Sequence, residues 1–172
     1  GGNLILTART GQKDRNAHLW EQKLQEPVYD LIGARIRYSD QLPPGVEGSI
    51  RFTGNDYPWN VWAEVLEPYP GTETLAVFGD HFYKNETTAV TREYGEGRIS
   101  YVGVQSADRE LEKDLLREIY ARQGMETLDL PWYVFTYWRE GLTISVNYSS
   151  EPYEIPVSPE RDRKSTRLNS SH

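Results

Sequence analysis

Short apolar runs, separated by clusters of Gly, Pro, Asn and Asp, predict a series of brief strands along this chain of 172 residues. The first run covers residues 4–8 and leads directly into a polar segment. The run at residues 28–32 indicates a short helical turn that ends at Gly33. Further strands are predicted at residues 35–38, 49–52, 61–66 and 75–78.

A hairpin followed by a helix is the clearest local signal. Residues 89–94 and 98–104 are strand-like, and the Gly-Glu-Gly sequence at 95–97 predicts the turn between them. Ser106 or Asp108 can cap the helix that follows, and Gly124 is its natural end. Its predicted apolar stripe consists of Leu111, Leu115, Leu116 and Ile119.

The pattern changes to aromatic, β-rich segments after Pro131. Residues 132–138 and 143–148 predict a second hairpin that turns at residues 139–141. The mixture of strands and helices before this point predicts an α/β domain over residues 1–128, and an antiparallel β domain is expected over residues 129–161.

Both ends of the chain are expected to be artificial. Gly1-Gly2-Asn3 has no initiator Met and runs at once into the first strand, which favours truncation. Residues 162–172 (DRKSTRLNSSH) are basic and rich in Ser, and they resemble the translation of a sequencing adapter. We therefore expect this tail to be disordered and to lie outside the fold.

Composition narrows the possible functions. The absence of Cys excludes disulfides, a thiolate nucleophile and a Cys-based metal site in this segment. A net charge of -7 argues against nucleic-acid binding, and no apolar stretch approaches the roughly 20 residues of a membrane span. His18 and His81 lack the spacing of metal ligands, so neither a metal nor another cofactor is expected.

Several blocks, in this order and spacing, resemble the trimerisation domain of glycoside hydrolase family 42 β-galactosidases and the start of the β domain that follows it. They are GNLILT (residues 2–7), RTG (9–11), KD (13–14), VTR (90–92), YGEGR (94–98), YVG (101–103), FTYWREG (135–141) and NY (147–148). The resemblance covers residues 1 to about 158.

The resemblance implies a class I glutamine-amidotransferase-like (flavodoxin-like) α/β domain, followed by part of an antiparallel β domain. In that family the domain follows a catalytic (β/α)8 barrel and contributes to a homotrimer of a bacterial, cytoplasmic enzyme. The barrel carries the two glutamates for retaining hydrolysis of terminal β-D-galactosides. Because no residue of this chain matches those glutamates, we expect the chain itself to be inactive, with no catalytic residue of its own.

The loop after the first strand contains the candidate site residues Arg9, Lys13, Asp14, His18 and Trp20. Loops at such strand ends often face ligands or partners. One interpretation places this loop against a neighbouring subunit, at the rim of that subunit's sugar site. The other makes it an ordinary polar loop with Trp20 in the core, and the sequence leaves both open.

The five Trp and twelve Tyr also permit a different class of protein, a free-standing carbohydrate-binding or scaffold module with aromatic platforms. Trp59 and Trp62 are the obvious candidates for such platforms. A single domain offers no second platform opposite them, so core or interface packing is the favoured interpretation of both. The remaining acidic residues are interpreted as a solvated surface.

Overall fold

The chain divides into two compact units, Gly1–Met125 and Glu126–His172, and the computed structural model describes residues 2–20 and 26–155. The described part of the first unit contains nine strands and two helices. They are β1 (Asn3–Thr7), α1 (Glu26–Ile32), β2 (Ala34–Asp40), β3 (Gly48–Phe52), β4 (Asn55–Trp59), β5 (Trp62–Pro68), β6 (Glu73–Phe78), β7 (Thr87–Tyr94), β8 (Gly97–Val102), β9 (Val104–Gln105) and α2 (Glu110–Ala121).

The nine strands form one curled, mixed sheet. The main path runs in the order β1-β8-β7-β6-β3-β4, while β5 pairs with β7 and also carries β2 and β9. Within the described residues only β1 and β8 pair in parallel, and the other pairs are antiparallel.

The prediction of a flavodoxin-like α/β fold is therefore wrong. A parallel sheet needs a long crossover, usually a helix, between successive strands. Here β3 and β4, β6 and β7, and β7 and β8 are each adjacent in both the chain and the sheet, and each pair is antiparallel. The two helices of the described residues are too few to connect a doubly wound sheet.

The sequence also failed to indicate strand β4. Gly54, Asn55 and Asp56 favour a break in the chain, so the sequence predicts only a separation between the strands at residues 49–52 and 61–66. The structure forms a tight turn at Thr53 and Gly54, with φ angles of 48° and 84°, and pairs β4 with β3. Pro58 is tolerated because β4 ends the main path of the sheet, where a missing N–H breaks no ladder on the open side.

The β7–β8 hairpin, which the sequence predicted correctly, is buried on both of its faces. Ala89 and Val102 belong to one apolar cluster, which also contains Leu111 and Leu115 of α2. Their chain neighbours Val90 and Tyr101 belong to a second cluster, together with Ile32 and Ala34 at the end of α1 and the start of β2. Since adjacent residues of a strand point to opposite faces, the hairpin forms a layer between two cores.

Helix α2 begins at Glu110, and the predicted capping residues Ser106 and Asp108 lie just before its N-cap residue, Arg109, whose own side chain makes no capping hydrogen bond. Ser106 Oγ accepts the backbone N–H of Arg109 at 3.0 Å, and Asp108 Oδ1 accepts that of Glu110 at 3.2 Å. The Glu112 carboxylate accepts the backbone N–H of Ser106 at 2.6 Å and its hydroxyl at 2.5 Å. Ser106 and Asp108 thus satisfy the N–H groups of Arg109 and Glu110 where the helix starts, and Glu112 ties Ser106 to the first turn.

The second unit contains the predicted aromatic hairpin, formed by β10 (Val134–Arg139) and β11 (Leu142–Asn147). Glu140 and Gly141, with φ angles of 51° and 84°, form the turn at the expected position. Trp138 and Tyr148 are more than half exposed. The predicted tail at residues 162–172 lies outside the described residues, as does the end of the expected β domain from residue 156.

The predicted stripe of α2 gives a matched pair of variants. Leu115 is fully buried, whereas Leu116, which was also predicted to face the core, is 39% exposed. Leu115→Ala should lower the free energy of unfolding by about 2–5 kcal/mol, because it leaves a cavity in the core. Leu116→Ala should change it by about 0.5 kcal/mol. Urea denaturation followed by tryptophan fluorescence measures both, and equal losses would contradict this packing of α2.

Candidate subunit-interface site

Residues 9–20, which follow β1, have a defined conformation built around Asp14. Asp14 Oδ1 accepts the backbone N–H groups of Asn16 and His18 at 2.8 and 2.9 Å. The Asp14 backbone N–H donates to the carbonyl of His18 at 2.8 Å, and Lys13 forms an isolated bridge with Leu19. Asp14 therefore organises the turn itself, and its carboxylate is already used by backbone donors.

The other predicted site residues lie on the surface of this loop. Arg9, Lys13 and His18 are exposed. Trp20 is 48% exposed, and its indole N–H donates to the carbonyl of Gly11 at 2.9 Å. Leu19 beside it is 60% exposed. The interpretation that placed Trp20 in the core is not supported, and the loop instead presents two adjacent apolar side chains among cationic ones.

A buried carboxylate, Glu64 of β5, holds the beginning of this loop. Its Oε1 accepts the backbone N–H of Arg9 and the indole N–H of Trp62, both at 3.1 Å. Its Oε2 accepts the hydroxyl of Tyr101, from β8, at 2.5 Å. Glu64 has no exposed surface, so these three donors replace the water that an ionised carboxylate requires.

Sequence reasoning missed Glu64 because it grouped the carboxylates as surface residues. The available signal was its position within the apolar strand WAEVL. Ala63 and Val65 face the cluster that contains α2, so Glu64 must point to the opposite face, where Leu66 and Tyr101 are buried. A single charged residue on a face that is otherwise apolar indicates a buried, paired carboxylate.

Tyr101 is held in its neutral form. Burial, followed by the negative charge of Glu64 and the hydrogen bond to it, raises the pKa of the Tyr101 phenol far above its ordinary value. The phenol is thus a fixed hydrogen-bond donor, and it keeps one oxygen of Glu64 satisfied.

Arg9 is constrained at both its backbone and its side chain. Its φ angle of 71° lies in the left-handed region, which is unfavourable for a residue with a side chain. Its guanidinium lies over the indole ring of Trp62, with 4.6 Å between the guanidinium carbon and the ring centroid. The hydrogen bond to Glu64 and this cation–π contact offset the strain.

The two Trp residues considered as sugar platforms serve other purposes. Trp59 has no exposed surface and packs edge-on against Phe78, with ring centroids 5.8 Å apart, so the prediction of core packing is confirmed for it. Trp62 is half-buried beneath Arg9. Neither presents an open ring face of the kind that stacks on a sugar.

Residues 2–20 and 26–155 contain neither a metal-binding cluster nor a membrane-spanning helix. No group of three or more His, Asp or Glu side chains there could hold a metal ion. No helix in that part of the chain is long and apolar enough to cross a membrane.

Buried tyrosines predict that alkaline pH destabilises the fold. Burial raises the pKa of Tyr57, and it raises the pKa of Tyr83 to about 12 and that of Tyr101 further. Below the ordinary value of about 10 their contribution to stability is complete. Above it the unfolded chain releases phenol protons that the folded chain retains, so the free energy of unfolding must fall with rising pH.

Urea denaturation between about pH 8 and about pH 11 measures this fall. Tyr101→Phe should make it shallower, whereas Tyr94→Phe, which alters a 55% exposed ring, should leave its slope unchanged. Identical slopes in the wild-type chain and Tyr101→Phe would argue against a phenol that stays protonated beside Glu64.

The sequence of this chain is similar to sequences of known β-galactosidases. The β-galactosidase trimerisation domain matches residues 1–126. The β-galactosidase BgaH of Haloferax lucentense is 31% identical over 158 residues, which cover 91% of this chain and 24% of that protein. The β-galactosidase BgaA of Clostridium cellulovorans is 28% identical over 77% of this chain and 19% of its own length. Similar proteins thus come from haloarchaea as well as bacteria, and a bacterial source remains a prediction.

Solved structures give the same result. The β-galactosidase of the haloarchaeon Halorubrum lacusprofundi is 28% identical and superimposes with a TM-score of 0.75, over 88% of this chain and 22% of that one. The enzyme of Rahnella sp. R3, at 20% identity, shares the fold with a TM-score of 0.73, over 88% and 24% of the two chains. The chain spans about a quarter of the length of the first curated relatives that it matches. It belongs to the β-galactosidase trimerisation domain family.

Proposed function

We propose that this chain is the trimer-forming part of a β-galactosidase that hydrolyses terminal β-D-galactosides. The observation that carries the proposal is the match of the trimerisation domain to residues 1–126. The division of the chain at Met125 and Glu126 supports a domain boundary close to residue 128, followed by the start of a β domain. In this proposal the catalytic glutamates belong to a barrel elsewhere in the parent protein.

The state of Glu64 supports a non-catalytic role for the described residues. A retaining glycosidase needs two carboxyl groups about 5 Å apart that reach the substrate. Glu64 is buried, with no exposed surface, and it accepts three hydrogen bonds from the protein. Such a group can position a loop, but a substrate cannot reach it to exchange a proton.

The proposed contact surface is the loop from Arg9 to Trp20. Its exposed side chains include Trp20 and Arg9, and both residue types are enriched at protein–protein interfaces. Because Asp14 and Glu64 hold the backbone in place, little further ordering is needed on association. Arg9, Lys13, His18 and Trp20 would contact a neighbouring subunit near the rim of its sugar site, and Asp14 would shape the loop.

The first test is the mass of the chain in solution. At high protein concentration, light scattering should approach three times the chain mass of 19.9 kDa. The double variant Leu19→Ser/Trp20→Ser should weaken association by about tenfold or more, because it removes the exposed apolar pair.

Phe82→Ser is the matched control for this test. Phe82 is 82% exposed but lies on the loop between β6 and β7, so its replacement should leave the mass unchanged. A wild-type chain that remains monomeric at every concentration would contradict the proposed function. Equal weakening by both variants would place the interface elsewhere.

The second test is enzymatic activity of the chain. A chromogenic β-galactoside should release no product above background, and Glu64→Gln should give the same background as the wild-type chain. Turnover that a substitution within residues 1–155 abolishes would overturn the non-catalytic role. Titration calorimetry with galactosides tests the other class of function, since micromolar binding would favour a carbohydrate-binding module.

A further inference from the structure

Arg9 presents a fixed cation that has no acidic partner among the described residues. Its guanidinium is exposed and lies over Trp62, and no carboxylate of residues 2–20 or 26–155 forms an ion pair with it. Surface arginines usually remain free to choose among rotamers. The fixed position of this one, in a strained backbone conformation, requires an explanation.

Two contacts hold Arg9 in place, and a third contact holds the ring on which its side chain rests. The Arg9 backbone N–H donates to Glu64, the Trp62 indole N–H donates to the same oxygen, and the Trp62 ring lies under the guanidinium. Glu64 therefore positions both the backbone of Arg9 and the ring on which its side chain rests.

A stacked guanidinium is suited to one kind of partner. Stacking occupies one face of the planar group and leaves its N–H edge available, and that edge matches a carboxylate through two parallel hydrogen bonds. Because the guanidinium is already ordered by Trp62, forming this pair costs less side-chain entropy than it would for a mobile arginine.

The charge distribution indicates where such a carboxylate comes from. Residues 9–20 contain three cationic side chains (Arg9, Lys13 and Arg15) and one anionic one (Asp14), a local charge of +2 with His neutral. The whole chain has a net charge of -7. Another copy of this chain therefore offers an acidic surface, and the two surfaces attract each other.

We propose that Arg9 is the anchoring cation of the subunit interface, that it binds a carboxylate of a neighbouring copy of this chain, and that Glu64 and Trp62 are its positioning residues. This inference rests on the proposed trimer-forming function and adds the chemistry of the contact.

Arg15 provides the matched control. It lies in the same loop and is exposed, but it makes no hydrogen bond, ion pair or ring contact within the described residues. In sedimentation equilibrium, Arg9→Gln should weaken association by about tenfold or more, whereas Arg15→Gln, with the same loss of charge, should weaken it about twofold. Equal effects of the two variants would overturn the anchoring role and leave only general charge attraction.

Salt dependence separates an ion pair from a packing effect. Raising the salt concentration should weaken association of the wild-type chain, and this dependence should be clearly smaller in Arg9→Gln. Trp62→Leu removes the ring beneath the guanidinium and should reduce the salt dependence in the same way, whereas Trp62→Phe, which keeps a ring, should retain more of it. An unchanged salt dependence in Arg9→Gln would contradict the proposal.

Glu64→Gln tests positioning, with amide hydrogen exchange as a readout that does not depend on assembly. The Arg9 amide should exchange at least about tenfold faster in the variant, because a neutral amide oxygen is a weaker acceptor than a carboxylate. Combining Glu64→Gln with Arg9→Gln should weaken association by less than the product of the single effects, since both act through one guanidinium. Independent effects would overturn the positioning role.

The outcomes distinguish this inference from the function on which it rests. A wild-type chain that never associates would overturn the trimer-forming function and the anchor together. A chain that associates and responds to Leu19→Ser/Trp20→Ser, but is indifferent to Arg9→Gln, would leave the function standing and overturn the anchor alone.

Discussion

The buried carboxylate of Glu64 is the constraint on which this part of the molecule depends. An ionised carboxylate removed from water is costly unless donors surround it, so the fold must bring donors to it. The donors come from three separate parts of the chain, namely Arg9 in the loop after β1, β5 itself and β8. The hydrogen bonds to this one carboxylate therefore hold β8, which pairs in parallel with β1, and the beginning of the loop after β1.

Close approach of the strands around Glu64 depends on a residue without a side chain. Glu64 donates its backbone N–H to the carbonyl of Gly103 at 2.7 Å, and Gly103 donates to that of Thr88 at 2.8 Å. A Cβ at position 103 would lie 2.8 Å from the Thr88 carbonyl oxygen and 3.3 Å from the Cβ of Glu64. Gly103 also separates β8 from β9, which turns away to pair with β5. Gly103 thus permits the close approach of its backbone to Glu64 and Thr88. It also permits the change of pairing partner from β7, which pairs with β8, to β5, which pairs with β9.

Local features of this fold could be predicted, but its class could not. The β7–β8 hairpin, the α2 caps and the aromatic hairpin follow from turn and cap residues that are close in sequence. The α/β class was predicted from the mixture of strands and helices, but the apolar pattern of a strand such as β8 does not distinguish parallel from antiparallel pairing. Continuous apolar strands are typical of parallel sheets, because helices cover both faces of such sheets. Here two apolar clusters cover both faces of an antiparallel hairpin, so the same pattern arises from a different topology.

The candidate site, like the fold, could be predicted only in part from the sequence. The loop was identifiable from its place after a strand and from its charged and aromatic residues. Glu64, which holds the backbone of the loop, was not identifiable. Glu64 lies 55 positions from Arg9 and 37 from Tyr101, and no local pattern connects such distant residues. Only the alternation of β5, which places Glu64 on an apolar face, distinguished it from surface carboxylates.

A ring of three copies would suit the uneven charge of this chain. In a two-fold dimer both copies contribute the same patch, so the basic loop meets an acidic surface only where both lie within that one patch. In a closed ring of three, each interface joins two different surfaces of the molecule. A loop with a local charge of +2 on a chain of net charge -7 can then meet an acidic surface in every interface. The difference in charge between this loop and the rest of the chain is therefore compatible with the ring of three that we propose.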